Sequence, residues 1–406
     1  MKTTTLLLAV CFSSLCLLTA CSKEENLVID EAVDTGAPDV TYQQPLVITK
    51  GGTYSGNFRS TDSKIPAVWV QTTEPVVITK CIIASAGDLI RCSGESQVNI
   101  HHNSLFGLTP GENSQWGRAL DDYHPKSLVF QNNYVEHTGG LLLDHNTSTS
   151  TSVVIRYNVI RNTDRRRADL SAGEKRASIM FNTVSKVSGE ISWNQFANLP
   201  DQSDLEHNIY MYNSGGKSGE PYLIHDNYIK GAYPYPLTAA SYVGSGITID
   251  GDPSANTMEK MSQFINAYNN QVISTCNASM NLAAGHDIHF YGNTMISSGR
   301  YPNGVKSDRF WGACCIWNAS NVPAENFINN SIKNNTIGYV RFGKRTPFPD
   351  RQDWVVFPGS PISVMPGENI SLRNPITLDT ENAEWSKWLS KLSLNKVVVG
   401  NVTKNP

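Results

Sequence analysis

Asp204, Glu206, His207 and Tyr210 fall within the seven residues "DLEHNIY". A histidine titrates near neutrality and a carboxylate beside it can hold its ring in place, so the segment has the parts of a general acid–base site. Two reactions would use such parts. His207 or Tyr210 can abstract a proton next to a carboxylate, provided that a cation such as Arg166 or a bound metal ion neutralises the charge that develops. Alternatively, hydrolysis of a glycosidic bond needs two carboxyls on opposite sides of that bond, about 5 to 9 Å apart. Asp204 or Glu206 together with Asp250 would supply them.

Residues suited to an anionic, ring-bearing ligand gather in four loops, at 161–176, 197–207, 230–244 and 297–312. These carry Arg165, Arg166, Arg167, Lys175, Arg176, Arg300, Lys306 and Arg309, and Arg118 belongs to the same set. Arginine meets a carboxylate or sulfate through two parallel hydrogen bonds. Trp116, Tyr233, Tyr235, Tyr242, Tyr301 and Trp311 offer flat faces for sugar rings. A plainer reading stands beside this one. Asp164 and Asp169 balance part of the arginine run, and each ring can simply pack its loop. "GHDIH" (285–289) spaces His286, Asp287 and His289 as metal ligands or as the polar residues of a turn. No phosphate-binding glycine loop or nucleophilic-serine elbow is present.

What must position these groups is a short phrase that recurs: "VNIHHNSLFGL", "LVFQNNYVEH", "VVIRYNVIRN", "GEISWNQFANL", "YLIHDNYIKG", "INAYNNQVIS", "DIHFYGNTMISS" and "SIKNNTIGYV". Each phrase joins two short runs rich in Val, Ile, Phe and Tyr, which read as strands. Their asparagines, Asn103, Asn133, Asn158, Asn194, Asn227, Asn270, Asn293 and Asn335, are 30, 25, 36, 33, 43, 23 and 42 residues apart. Irregular spacing of this kind fits a solenoid with insertions. Asparagine tolerates left-handed backbone, so it suits a corner, and stacked asparagines can bond from coil to coil. The expected fold is all-β, a right-handed parallel β-helix with a short C-terminal helix. Because the insertions recur at one point of the coil, they should wall a groove along one side. A second polar row, Asp121, Asp144, Asn182, Asn213, Asp250 and Asn318, ends another set of strands. With coils ~4.8 Å apart, Asp121 and Asp144 would face each other. The row is then either a turn-capping ladder or a cation site in which Asp121, Asp144 and Asp250 bind calcium.

The segments "KGGTYSGNF", "GRALDDYHPKSLVFQNNYVEHTGG", "IRYNVIRNTDRRRAD", "IHDNYIKGAYP" and "AAGHDIHFYGNTMISSG" resemble bacterial right-handed β-helix proteins of the pectin-lyase-like superfamily, over about residues 45–340. The resemblance implies the fold. For function it implies a set that includes polysaccharide lyases, glycoside hydrolases, epimerases and non-enzymatic adhesins. It transfers no catalytic residue, because the polygalacturonase elements are not reproduced. "NTD" at 162 follows "DD" at 121, and "GHD" at 285 lacks the second glycine.

At the start, an apolar run ends in Leu18-Thr19-Ala20-Cys21, the layout of a lipoprotein signal in which Cys21 is acylated. The run is shorter than the ~20 residues of a membrane span. The expected organisation is a signal at 1–20, a flexible polar tether at 21–43, the β-helix at 44–345, and an extension with a capping helix at 346–406. In that helix Trp385, Trp388, Leu389 and Leu392 share one face. The formal charge of −3 becomes −4 once Lys2 leaves with the signal, which argues against nucleic acid as a partner. Cys81, Cys92, Cys276, Cys314 and Cys315 show no zinc spacing and read as small buried residues, with a Cys81–Cys92 bridge left open. The expectation is a monomeric, lipid-anchored protein of the cell envelope, delivered to the outer membrane. It would cleave an acidic polysaccharide by β-elimination, with calcium as the one candidate cofactor. A glycoside hydrolase and a glycan-binding lipoprotein without turnover remain as alternatives.

Overall fold

The computed structural model describes residues 36–147, 150–239, 244–252, 258–318, 323, 326–357 and 368–401. The signal segment, Cys21 and Tyr242 lie outside them. Two long parallel sheets of 19 and 11 strands wind into a right-handed β-helix, the fold that the repeated phrase implies. Most coils carry three strands. Those that matter most form one wall and are labelled here in chain order: β1 (Ile90–His101), β2 (Leu120–Gln131), β3 (Leu141–Asp144), β4 (Ala177–Asn182), β5 (His207–Tyr212), β6 (Ser245–Asp250), β7 (Ala278–Leu282), β8 (Gly312–Ile316) and β9 (Trp354–Val356).

Alternation along each wall strand sends every second residue inward. Parallel register then stacks like on like: Leu141, Ile179, Ile209, Ile247, Met280 and Cys314 form one fully buried column through the interior. Burying one such aliphatic side chain contributes about 1.5–3 kcal/mol. The same register sets Met180, Tyr210, Thr248 and Asn281 in a row on the outer face.

The asparagines are fully buried at the corner before the third strand of each coil. Each side-chain N–H donates to the next asparagine's oxygen at 2.9–3.1 Å, from Asn103 through Asn335, and the row runs one step further to Asn369. One detail departs from expectation. The left-handed residue is not the asparagine but the one before it: His102, Asn132, Tyr157, Trp193, Asp226, Asn269, Gly292 and Asn334 all have positive φ. The preceding residue makes the turn, which leaves the asparagine extended and its amide free to point along the stack.

The ends also differ. Ala37, Val40 and Tyr42 pack against Ile82, Ala84 and Phe106, so the last part of the expected tether is docked on the first coils. Parallel pairing continues past residue 345, through β9 and Ile370–Ser371. The helix α1 (Leu378–Asn395) does not cap the open end. It lies along the flank, where outward-facing Tyr228, Ile273 and Ile296 make an apolar stripe that receives Trp388 and Leu392, with Trp385 and Leu389 packed beside them. The tail then runs back towards the first coils, where the Gly400 N–H donates to the Tyr157 carbonyl. All five described cysteines are free and buried, including Cys81 and Cys92.

Asp122 is an exception to the apolar interior. It is fully buried in register between Cys92 and Leu143, with the Ser96 hydroxyl donating to its carboxyl oxygens. Burial pushes its carboxyl up to about 7, and burial likewise raises Glu381 to about 7. A carboxyl whose folded value is raised binds its proton more tightly when folded. Its contribution is therefore fully present below the ordinary carboxylate range and is lost as pH rises through 7. The melting temperature should fall between pH 5 and pH 9. Asp122→Asn should flatten this fall by stabilising the protein at pH 9 and not at pH 5, on the order of 2–4 kcal/mol. An unchanged pH slope in that variant would assign the effect elsewhere.

Candidate functional site

A cleft of about 640 Å³ lies on the outer face of β4 to β7. The alternation that buries Ile209 and Met211 aims Tyr210 and Tyr212 outward. Register brings Met180 and Asn182 to one side of them, and Thr248, Asp250 and Asn281 to the other. The loop before β4 lays Lys175 and Arg176 along one rim, the loop before β5 supplies Glu206, and Trp317, 36% exposed, stands at the far end.

On the floor, the His207 and Tyr210 rings are 4.5 Å apart, centroid to centroid. His207 Nδ1 is 3.0 Å from Thr248 Oγ1, and its Nε2 is 3.9 Å from Glu206 Oε1. Tyr210 donates to Asp250 Oδ2 at 3.1 Å, while the Gly251 N–H donates to the other oxygen at 2.8 Å. Lys175 Nζ meets Glu206 Oε1 at 2.6 Å. His207 is 3% exposed, so it presents an edge to the cleft, and burial followed by the Lys175 charge lowers it to about 3. The imidazole is therefore neutral. Burial raises Glu206 against the pull of Lys175, and burial also raises Asp250. Tyr210 is raised by burial and then by Asp250, and Tyr212 is pushed up to about 12. The floor thus holds an uncharged base, an uncharged phenol and two carboxyls with increased proton affinity.

Of the groups nominated from sequence, Glu206, His207, Tyr210 and Asp250 come together here. Asp204 and Arg166 do not. Asp204 is buried against Arg165 at 3.0 Å, and Arg166 pairs with Asp164 at 2.7 Å under the Tyr235 ring. Arg167 donates to the Ala172 carbonyl within its own loop. The arginine run is therefore mostly internal bracing, the plainer of its two readings. Tyr233 is buried, with its hydroxyl on Ser274. Arg300 binds the Gly304 carbonyl, Arg309 pairs with Asp308, and Trp311 stacks on Phe357 and Arg341. None of these lines the cleft.

The proposed cation row is not assembled either. β1 and β2 run through the corner without a break, so "RALD" does not end a strand there. Asp121 registers with Arg91 and Leu142, whereas Asp144 registers with Tyr123 and Asn182. Asp250 stands beyond Asn182 and Tyr212 in the row of Asp144. His286 bonds Asp287, and His289 bonds Ser331. Among the described residues no three His, Cys, Asp or Glu side chains are grouped to hold a metal.

The fold and the cleft define a parallel β-helix with a polar groove across its wall. Comparison with protein-family models gave no match, and comparison with curated proteins gave none either. Among solved structures, a mannuronic acid specific polysaccharide family 6 lyase from human gut microbiota is similar at 14% identity and a TM-score of 0.39, over 90% of this chain and 92% of that one. At that level the likeness bears no argument about chemistry.

Proposed function

We propose that this protein cleaves an acidic polysaccharide by β-elimination in the cleft over β4 to β7. The observation that carries the reading is the His207–Tyr210 contact beneath a rim of Lys175 and Arg176. The carboxylate of a uronic acid residue lies against Lys175, which offsets the charge that develops when C5 loses its proton. Neutral His207 accepts that proton at Nε2, in the tautomer whose Nδ1–H donates to Thr248. Substrate makes it a better base, since the incoming carboxylate counters the Lys175 charge that holds the imidazole low, and Glu206 steadies the imidazolium. Tyr210, held in place by Asp250, gives its proton to the departing glycosidic oxygen and recovers one from the His207 imidazolium, whose ring lies 4.5 Å away. The C5–H and C4–O bonds break, a C4–C5 double bond forms, and one new reducing end appears.

A second reading is hydrolysis, for which Glu206 and Asp250, two carboxyls lining the same cleft, would be the acid and the base. The distinguishing experiment incubates the protein with acidic and neutral polysaccharides, with and without calcium, and follows ultraviolet absorbance of the new double bond together with reducing ends. A rise in both is expected. Reducing ends alone would replace elimination by hydrolysis, and binding without either signal would make the protein a glycan receptor. For location, the Cys21 signal supports a lipid-anchored protein of the cell envelope, and incorporation of a labelled fatty acid that is lost in Cys21→Ser would test it.

A further inference from the structure

Two arginines at the same corner as the cleft differ from their neighbours. Arg165 and Arg166 each have a carboxylate partner, whereas Arg118 and Arg176 make no ion pair among the described residues. They belong to coils two apart, just before β2 and β4. The intervening coil passes beneath them as Gly139–Gly140. A Cβ on Gly139 would lie 3.5 Å from Arg176 Nε, which places that guanidinium against the intervening coil. Arg118 Nη1 and Arg176 Nε are buried without a hydrogen-bond partner. The nearest carboxylates are engaged elsewhere. Asp88 receives Arg91 through one oxygen and the Arg118 backbone N–H through the other, and Asp121 lies 3.8 Å from Arg91. The third, Glu174, is exposed.

Such an arrangement is unfavourable in isolation. Two like charges act on each other in a half-buried setting, each with one buried donor unsatisfied, although Arg176 Nη2 reaches Gln115 Oε1 at 3.4 Å. Burial and the neighbouring Arg176 charge lower Arg118 to about 10, and burial lowers Arg176. A planar anion supplied from outside would satisfy the donors and separate the charges electrostatically. Arg176 also lines the cleft, which joins this pair to the reaction site one coil away.

We propose that Arg118 and Arg176 form a carboxylate-binding subsite that receives an acidic sugar residue next to the one cleaved, so that the protein takes a chain bearing carboxylates on successive residues. This rests on reading the cleft as a glycan groove. The test measures binding of polygalacturonate and alginate, and of their carboxyl-reduced forms, to wild type and Arg118→Gln by calorimetry, with turnover followed separately. Wild type should bind a polyuronate in a salt-sensitive manner, Arg118→Gln should bind it at least tenfold more weakly, and the reduced polymer should not tell the two proteins apart. Without glycan, Arg118→Gln should melt no lower than wild type, because a desolvated guanidinium with a buried unsatisfied donor has gone. Should it fail to fold, Arg118→Lys, which keeps charge but loses the planar fork, should still bind several-fold more weakly. Equal polyuronate binding by wild type and variant overturns the subsite even if elimination is observed. Loss of binding in the variant, with no turnover in either protein, supports the subsite while the elimination reading fails. Wild type that binds no polyuronate overturns both.

Discussion

Replacing His207 with glutamine is expected to lower kcat about 10²–10⁴-fold, the range that a positioned general base contributes, while the protein still folds. Glutamine can keep a hydrogen bond to Thr248 Oγ1, which lies 3.0 Å from His207 Nδ1. What it lacks is a nitrogen that can accept the C5 proton. KM should change little, because Lys175 holds the carboxylate of the reacting residue and Arg118 with Arg176 holds the next one. Steady-state rates on whichever polysaccharide the wild type cleaves, with a melting curve of the variant, decide the matter. Activity within fivefold of wild type would remove His207 from the reaction.

The second large effect concerns stability. Asn194 accepts from the backbone N–H and the side-chain N–H of Asn158 at 3.0 and 2.9 Å, and it donates to the Ile155 carbonyl and to Asn227 at 2.9 and 3.0 Å. Asn194→Ala strands several of these groups in a fully buried site. At about 1–3 kcal/mol for each group left unsatisfied, the loss should reach 3–5 kcal/mol, an appreciable part of a domain's stability. Asn194→Asp should be worse at neutral pH, because a carboxylate cannot donate and would face the Ile155 and Asn227 oxygens. Urea unfolding measures both, and a loss under about 1 kcal/mol for the alanine variant would show that the corner tolerates a gap.

The architecture was legible because it is repetitive: Val and Ile on alternate positions, and one asparagine per coil at a corner, leave few other folds. The site was legible only in part. His207, Tyr210 and Glu206 are close in sequence, and Asp250 ends a strand as a member of a visible polar row. Tyr212, Thr248, Asn281 and Trp317 escaped notice because an outward polar or aromatic residue on a strand resembles any other surface position until register is known. Matching Asp250 with Tyr212, the observed register, instead of with Asn213 places Thr248 and Asn281 beside Tyr210. The same missing register put Asp121 opposite Asp144, since nothing in "RALDDYHPKS" marks a strand that continues through the bend. The arginine run misled for another reason. The partner of Arg165, Asp204, comes one coil later in the chain, and whether a charge is spent on its neighbour or offered to a ligand is a property of contacts that spacing does not encode.

The asparagine row has one further consequence. From Asn103 to Asn335 one N–H of every side-chain amide points towards the C-terminal end of the stack, while its oxygen, where the row precedes it, accepts from the N-terminal side. The amides therefore form a line of aligned dipoles, with the positive pole at that end, the opposite sense to an α-helix. Each bond polarises the next, strengthening it by roughly 10–30%, so a central member is held by neighbours on both sides and a terminal one on a single side. A break near Asn194 should then be felt by coils that touch nothing at position 194, whereas a break at Asn369 stays local.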